Sequence, residues 1–244
     1  MNAPDSIAST ITARLRRAEA LADGTMAFHF EKPAGFAFKP GQAIELLLPD
    51  VEGSEAGHAF SLVTAPGEDD IVIATRMRDT PYKRALAKLA PGANVRLEGP
   101  FGAMTLHRNA ARGALFIAGG IGITPFMSML RATAREGFAR DIVLAYSNRR
   151  PEDAAFLAEL EALAQAHPRF RLAGTMTEMA KSQRPWRGAT RMIDAAFIRE
   201  AAAALPDPVY YVVGPPAMVE AMRTTLGQAG VDEDDVRSED FYGY

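Results

Sequence analysis

The chain contains no cysteine. That absence excludes a disulfide framework, a thiolate-held zinc site and a cysteine-ligated iron–sulfur cluster. It also fits a reducing compartment. Histidine is scarce, and His29, His58, His107 and His167 are too scattered to match a metal-ligand spacing. No stretch approaches the roughly 20 apolar residues that a membrane-spanning helix needs. The N-terminal sequence MNAPDSIASTITARLRR has no apolar core of signal-peptide length. Basic residues are not in excess: 27 Lys and Arg face 30 Asp and Glu, for a formal net charge of -3, and no basic run stands out. The electrostatic footprint of a nucleic-acid binder is therefore missing. A soluble, cytoplasmic protein without a nucleic-acid or membrane partner is expected.

What is present is an ordinary globular composition. Of 244 residues, 48% are hydrophobic and 23% charged, enough for a sizeable core in one large or two small domains. The pattern changes near residue 110. Before it, short runs alternate apolar and polar side chains, as half-buried antiparallel strands do: Thr10–Arg17, Thr25–Glu31, Ala43–Leu48, His58–Thr64, Ile71–Arg78 and Asn94–Leu97. Turn signals such as Ala22-Asp23-Gly24 and Lys39-Pro40-Gly41 separate them, and one helical insert is predicted at Tyr82–Leu89. These features predict a small antiparallel β-barrel or sandwich. After it, strands and helices alternate. Strands are predicted at Ala114–Ala118, Ile142–Ser147, Phe170–Thr175, Pro208–Val213 and Val236–Phe241. Helices are predicted at Thr124–Arg135, Pro151–Ala164, Met192–Ala203 and Ala217–Gly227. That rhythm predicts a parallel sheet covered by helices on both faces. The expected division is 1–108 and 109–244, closely packed with a cleft between.

The strongest local motif is Gly119-Gly120-Ile121-Gly122-Ile123-Thr124-Pro125, directly after a strand. Glycines there let the backbone turn sharply and approach a pyrophosphate. The following helix aims free N–H groups and its positive end at the phosphate. Thr124 is a candidate cap or phosphate donor and Pro125 suits the first turn. A ligand-free glycine-rich turn is the alternative, since Pro125 stands where a third glycine would complete the fingerprint. At the end of the next strand, Ser147, Arg149 and Arg150 are suited to the 2′-phosphate of NADP, although Glu152 and Asp153 follow closely. Gly214-Pro215-Pro216 ends a later strand, where it is either a nicotinamide approach or a stiff turn.

In the first half, His58-Ala59-Phe60-Ser61-Leu62 offers a hydroxyl beside an aromatic ring, which can receive a flat ring system. A plain alternating strand is the competing reading. Arg76, Arg78, Thr80, Lys83 and Arg84 crowd basic and hydroxyl groups around a helix start, as an anion site or as a solvated loop.

Taken in order, Pro40-Gly41-Gln42, His58–Ser61, Gly99-Pro100-Phe101-Gly102, Gly119–Pro125 and Gly214-Pro215-Pro216 make nearly the whole chain resemble the ferredoxin–NADP reductase family. The resemblance implies a flavin-binding barrel, with FAD more usual than FMN, followed by a domain for NADPH or NADH. It implies that Ser61 bonds near flavin N5, that His58, Phe60 and Leu62 line the flavin, that Arg76 is among the cofactor-binding residues, and that Arg78, Thr80, Lys83 or Arg84 hold its phosphates. Gly119, Gly120, Gly122, Thr124, Pro125, Ser147, Arg149, Gly214, Pro215 and Pro216 fall to the nucleotide. Tyr244, or Phe241, takes the place of the C-terminal aromatic that covers the flavin in similar reductases, with simple packing of a terminal strand as the alternative. The chain departs from the family's Arg-x-Tyr-Ser motif at His58 and Phe60, and has Val213 where many relatives carry cysteine. The implied activity is hydride transfer from NAD(P)H to flavin, then electron delivery to an external ferredoxin, flavodoxin or oxygenase component. Rival readings are a reductase of free flavin, an electron-transfer subunit of a larger complex, and a non-catalytic nucleotide-binding module.

Overall fold

Alternation of buried and exposed side chains builds the first half of the chain into an antiparallel sheet. A computed structural model describes residues 10–49 and 57–241. Strands β1 (Ile11–Ala22), β2 (Thr25–Glu31), β3 (Ala43–Leu47), β4 (Gly57–Ser61), β5 (Asp70–Arg76) and β6 (Asn94–Phe101) form one six-stranded sheet in the order β4-β3-β6-β1-β2-β5. Its ends curl together just past β4, where the Val63 N–H donates to the Val72 carbonyl at 2.8 Å. That contact gives the sheet its barrel-like form. Helix α1 (Pro81–Lys88) crosses one end. Thr80 caps it by accepting the Lys83 N–H, and Pro81 occupies the first turn, where no intrahelical partner for an N–H exists.

The second half is a five-stranded parallel sheet of β7 (Ala114–Gly119), β8 (Ile142–Asn148), β9 (Phe170–Met176), β10 (Val209–Gly214) and β11 (Val236–Asp240), in the order β11-β10-β7-β8-β9. Residues of β7 are buried on both faces, which explains its unbroken apolar run. Phe116 and Ala118 face α2 (Thr124–Glu136) and α3 (Leu157–Ala166). Leu115 and Ile117 face α4 (Ala195–Ala202) and α5 (Pro216–Gln228). The chain leaves β7 toward β8 and β9, then returns to β10 and β11 on the other side. The crevice beyond the strand ends of β7 and β10 is thus a topological switch point, the usual ligand position in such sheets. No helix among the described residues is long and apolar enough to cross a membrane.

Two elements differ from expectation. The helix predicted over Pro151–Ala164 is broken. Pro151–Asp153 forms a 3-10 turn, Phe156 takes a left-handed backbone (φ 60°), and α3 starts only at Leu157. The helix-forming residues here are overridden by tertiary contacts. Asp153 is fixed by Arg150, and Ala154 and Ala155 are packed into the core. The helix predicted from Met192 begins at Ala195, because the Asp194 carboxylate accepts the Phe197 N–H at 2.7 Å and sets the start there.

The two sheets share a core. Ala27, Val63, Val72, Ala74 and Met104 pack into the same apolar cluster as Phe116, Phe126 and Met127. Burying even a few such side chains is worth about 1.5–3 kcal/mol each. The exposed Arg150–Asp23 pair across the same junction is worth at most about 1 kcal/mol. Apolar burial therefore fixes the relative placement of the halves. Polar contacts set the register: Ser128 Oγ donates to the Thr64 carbonyl at 2.6 Å.

His107 is part of this junction. Its backbone N–H donates to the Tyr211 hydroxyl at 2.8 Å, and its Nδ1 lies 2.8 Å from the same oxygen. Its Nε2 is 3.2 Å from the Arg112 carbonyl, which suits a neutral ring protonated at Nε2. Burial, aided by the nearby Arg140 charge, pushes the imidazole down to about 4 from the usual 6.5. Between those values the unfolded chain binds the proton and the folded chain does not, so stability falls as pH falls from about 6.5 to about 4. Urea midpoints measured across that window should drop in the wild type and drop less in His107→Asn. Parallel profiles would show that His107 is not the titrating group.

Candidate active site between the two sheets

Strand β4 carries its residues to the junction because it is an edge strand, paired with β3 alone. The ladder sets Ser61 opposite Ala43 and His58 opposite Leu46. Beneath the strand lies Tyr82, fully buried, whose hydroxyl donates to the Leu46 carbonyl at 2.6 Å. Its ring sits 4.2 Å from the His58 ring and 6.1 Å from Phe60, centroid to centroid. Burial raises the Tyr82 hydroxyl far above its usual range, so it stays a neutral donor.

Above this aromatic layer is a cavity of about 290 Å³ that both halves line. The barrel contributes Glu45, His58, Phe60, Ser61, Thr75 and Lys83. The second half contributes Ile121 and Thr124 from the glycine loop, and Glu239, Asp240 and Phe241 from the end of β11. The Ser61 hydroxyl makes no hydrogen bond with another described residue. Lys83 is 4% exposed, with Nζ 2.5 Å from Thr75 Oγ1 and 4.6 Å from the Phe60 ring centre. Burial lowers its ammonium to about 8 and raises the Glu239 carboxyl.

On the nucleotide side, the loop after β7 forms a 3-10 turn, Gly120–Ile123, that runs directly into α2. Gly120 has φ +53° and open space where a Cβ would stand. Gly122 is needed for a different reason: a Cβ there would meet the Val213 carbonyl oxygen at 2.4 Å, so the loop could not lie against β10. Gly119 and Gly214 both make room for Met218 in the first turn of α5. Pro216 begins that helix, with Pro215 preceding it. Thr124 does not cap α2; its hydroxyl donates to the Ile121 carbonyl at 3.1 Å, while Pro125 sits in the first turn as expected.

Beside this loop, two residues beyond Tyr146 on β8, Asn148 is 6% exposed; its amide lies by the Tyr146 hydroxyl and has no well-formed hydrogen bond among the described residues. Buried amides without partners are rare and costly. Ser147 is half-buried and Arg149 exposed at the same strand end. Arg150 is engaged within the protein. It holds Asp153 through two hydrogen bonds, 2.9 and 2.8 Å, and reaches Asp23 at 3.2 Å. Glu152 is also engaged, accepting from Gln183 N, Arg184 N and Ser182 Oγ.

Of the residues expected to hold flavin, His58, Phe60, Ser61 and Lys83 come together on the cavity wall. Leu62 does not; it points into the barrel core. Thr80 is spent as the α1 cap, Arg78 is exposed at the turn, and Arg76 lies close enough to Tyr146 and Asp153 for its charge to act on them. Phe241 reaches the cavity, whereas Tyr244 lies outside the described residues. Sequence reasoning missed Glu45, Thr75 and Glu239. Nothing in Ser238-Glu239-Asp240 marks the middle residue as the half-buried one.

The donor set fits a flat, polar-edged ring system: one aromatic face, one free hydroxyl and one buried ammonium converge on a single cavity. Comparisons with known proteins agree. Residues 116–224 match the family model described as "Oxidoreductase NAD-binding domain". The chain is 33% identical over 240 residues to ferredoxin–NADP reductase B of Sorangium cellulosum (strain So ce56), covering 95% of this chain and 98% of that one. It is 29% identical over 215 residues to the reductase component of propane 2-monooxygenase from Rhodococcus jostii (strain RHA1), covering 84% of this chain but only 56% of that longer protein. The fold superposes with a TM-score of 0.77 on a ferredoxin NADP+ reductase from Neisseria gonorrhoeae with bound FAD and NADP, at 19% identity, covering 95% of this chain and 98% of that one.

Proposed function

The chain belongs to the ferredoxin–NADP reductase family, and from that membership we propose that it takes hydride from NADPH onto bound FAD and delivers the electrons to a separate ferredoxin-type acceptor. Residues 1–108 form the flavin-binding part and 109–244 the nucleotide-binding part. The observation that carries this reading is the single cavity lined by Ser61 and Phe60 from the barrel and by Thr124 and Glu239 from the parallel sheet. A hydride donor and acceptor must meet at the junction of two such halves, and here the junction is open and fixed.

FAD, when bound, supplies the hydride acceptor and the ability to release electrons singly. The chain's residues supply position and electrostatics. Phe60 offers the ring face, and Ser61 donates a hydrogen bond at the reacting edge. The Gly119–Gly122 loop and the N-terminus of α2 hold the nucleotide's pyrophosphate. Arg149 reads the 2′-phosphate, while Glu152 and Asp153 at this strand end are held by the Ser182–Arg184 segment and by Arg150. Phe241 covers the cavity from the C-terminal side. We place this activity in the cytoplasm, where reduced nicotinamide is available.

The acceptor is tested by adding NADPH to FAD-saturated protein with either a ferredoxin or free FMN. Ferredoxin reduction at the higher kcat/KM supports the reading. Preference for free flavin would make the chain a flavin reductase.

A further inference from the structure

Lys83 stands apart from the other cations near the cavity. Arg84 pairs with Asp79 at the surface, and Arg76 and Arg78 do not line the cavity. Lys83 lines it, is almost wholly buried, and its ammonium has a single hydrogen-bond partner among the described residues, the Thr75 hydroxyl. No carboxylate forms an ion pair with it among the described residues. A buried ammonium without a counter-charge is costly, and such groups either lose their proton or are compensated by what binds beside them.

Its direction distinguishes it from a phosphate ligand. The backbone N–H of Lys83 faces the α1 cap at Thr80, but the side chain turns away from that helix start. It runs beneath the wall that receives a flat ring and ends over the face of Phe60 and against Thr75. We propose that Lys83 is the counter-charge of the flavin ring itself: it faces the ring, not the phosphates, and stabilises the reduced cofactor over the oxidised one. This rests on the flavin reading given above. Hydride brings two electrons and one proton, so the ring gains one net negative charge, which a fixed ammonium offsets. The other titratable groups facing the cavity are Glu45 from β3, His58 from β4, and Glu239 and Asp240 from β11. The two glutamates and the aspartate disfavour added negative charge, which leaves Lys83 and, when protonated, His58 to favour it.

The test begins with wild-type protein titrated with FAD and followed by flavin fluorescence. Failure to bind FAD or FMN would overturn the flavin reading before Lys83 is reached. With binding in hand, the midpoint potential is measured against a reference dye for wild type, Lys83→Met and Lys83→Arg. Lys83→Met should weaken reduced FAD about tenfold more than oxidised FAD, which for a two-electron couple is a midpoint lower by about 30 mV. Lys83→Arg, keeping the charge, should stay near wild type. Equal loss of both redox states, with an unchanged midpoint, overturns the proposal and makes Lys83 a phosphate ligand or a packing residue. Should Lys83→Met not fold, Lys83→Gln takes its place in the same measurement, with the same predicted fall and the same overturning result.

Discussion

Replacing Ser61 with alanine should slow hydride transfer from NADPH about a hundred-fold while leaving FAD affinity within a few-fold of wild type. The magnitude is that of a single preorganised donor removed from a reacting centre in a water-poor site. Ser61 has the geometry for it. It ends β4, is 5% exposed, and opens onto the cavity with a hydroxyl that no described residue engages. The ladder to Ala43 and the buried Tyr82 below His58 and Phe60 hold the strand in place, so alanine removes the donor without moving the wall. Single-turnover mixing of FAD-loaded protein with NADPH reads the step directly. A rate within threefold of wild type would place the reacting edge away from Ser61.

Arg149→Ala should lower kcat/KM for NADPH about 10- to 100-fold and leave NADH nearly unchanged. Hydrogen bonds to charged groups are worth about 1.5–3 kcal/mol, and each 1.4 kcal/mol is tenfold. The expectation falls on Arg149 and not on its neighbour because Arg150 is already committed to Asp153 and Asp23. Glu152 is held by the segment from Ser182 to Arg184. Steady-state kinetics with both donors checks this. A parallel fall for NADPH and NADH would mean that Arg149 serves the common part of the nucleotide.

The architecture was largely legible in the sequence because two physical periods differ so clearly. β2 begins and ends at Thr25 and Glu31 as its alternation predicts, and the run Ala114–Ala118 is apolar throughout because both faces of β7 are covered. The broken helix at Phe156 was not legible, since Ala154 and Ala155 are good helix formers whose burial against the sheet end is a tertiary fact. The candidate site divides in the same way. The glycine loop and the His58–Ser61 strand carry local signals. Thr75 and Glu239 carry none, because they reach the cavity from strands more than a hundred residues apart. Lys83 was legible as a basic residue at a helix start, which suggested a phosphate. Its side chain ends over Phe60 instead, and only packing decides that. Gly122 shows the converse: a motif glycine whose lack of a side chain is what lets Val213 of the neighbouring strand lie so near.

The most direct test is the visible spectrum of the protein saturated with FAD, recorded without oxygen before and after one equivalent of NADPH. Flavin absorption bands that bleach on mixing, faster with NADPH than with NADH, are the predicted result. Protein that stays colourless after incubation with FAD or FMN would contradict the account, and the His58 and Phe60 departures would be the first place to look for the reason.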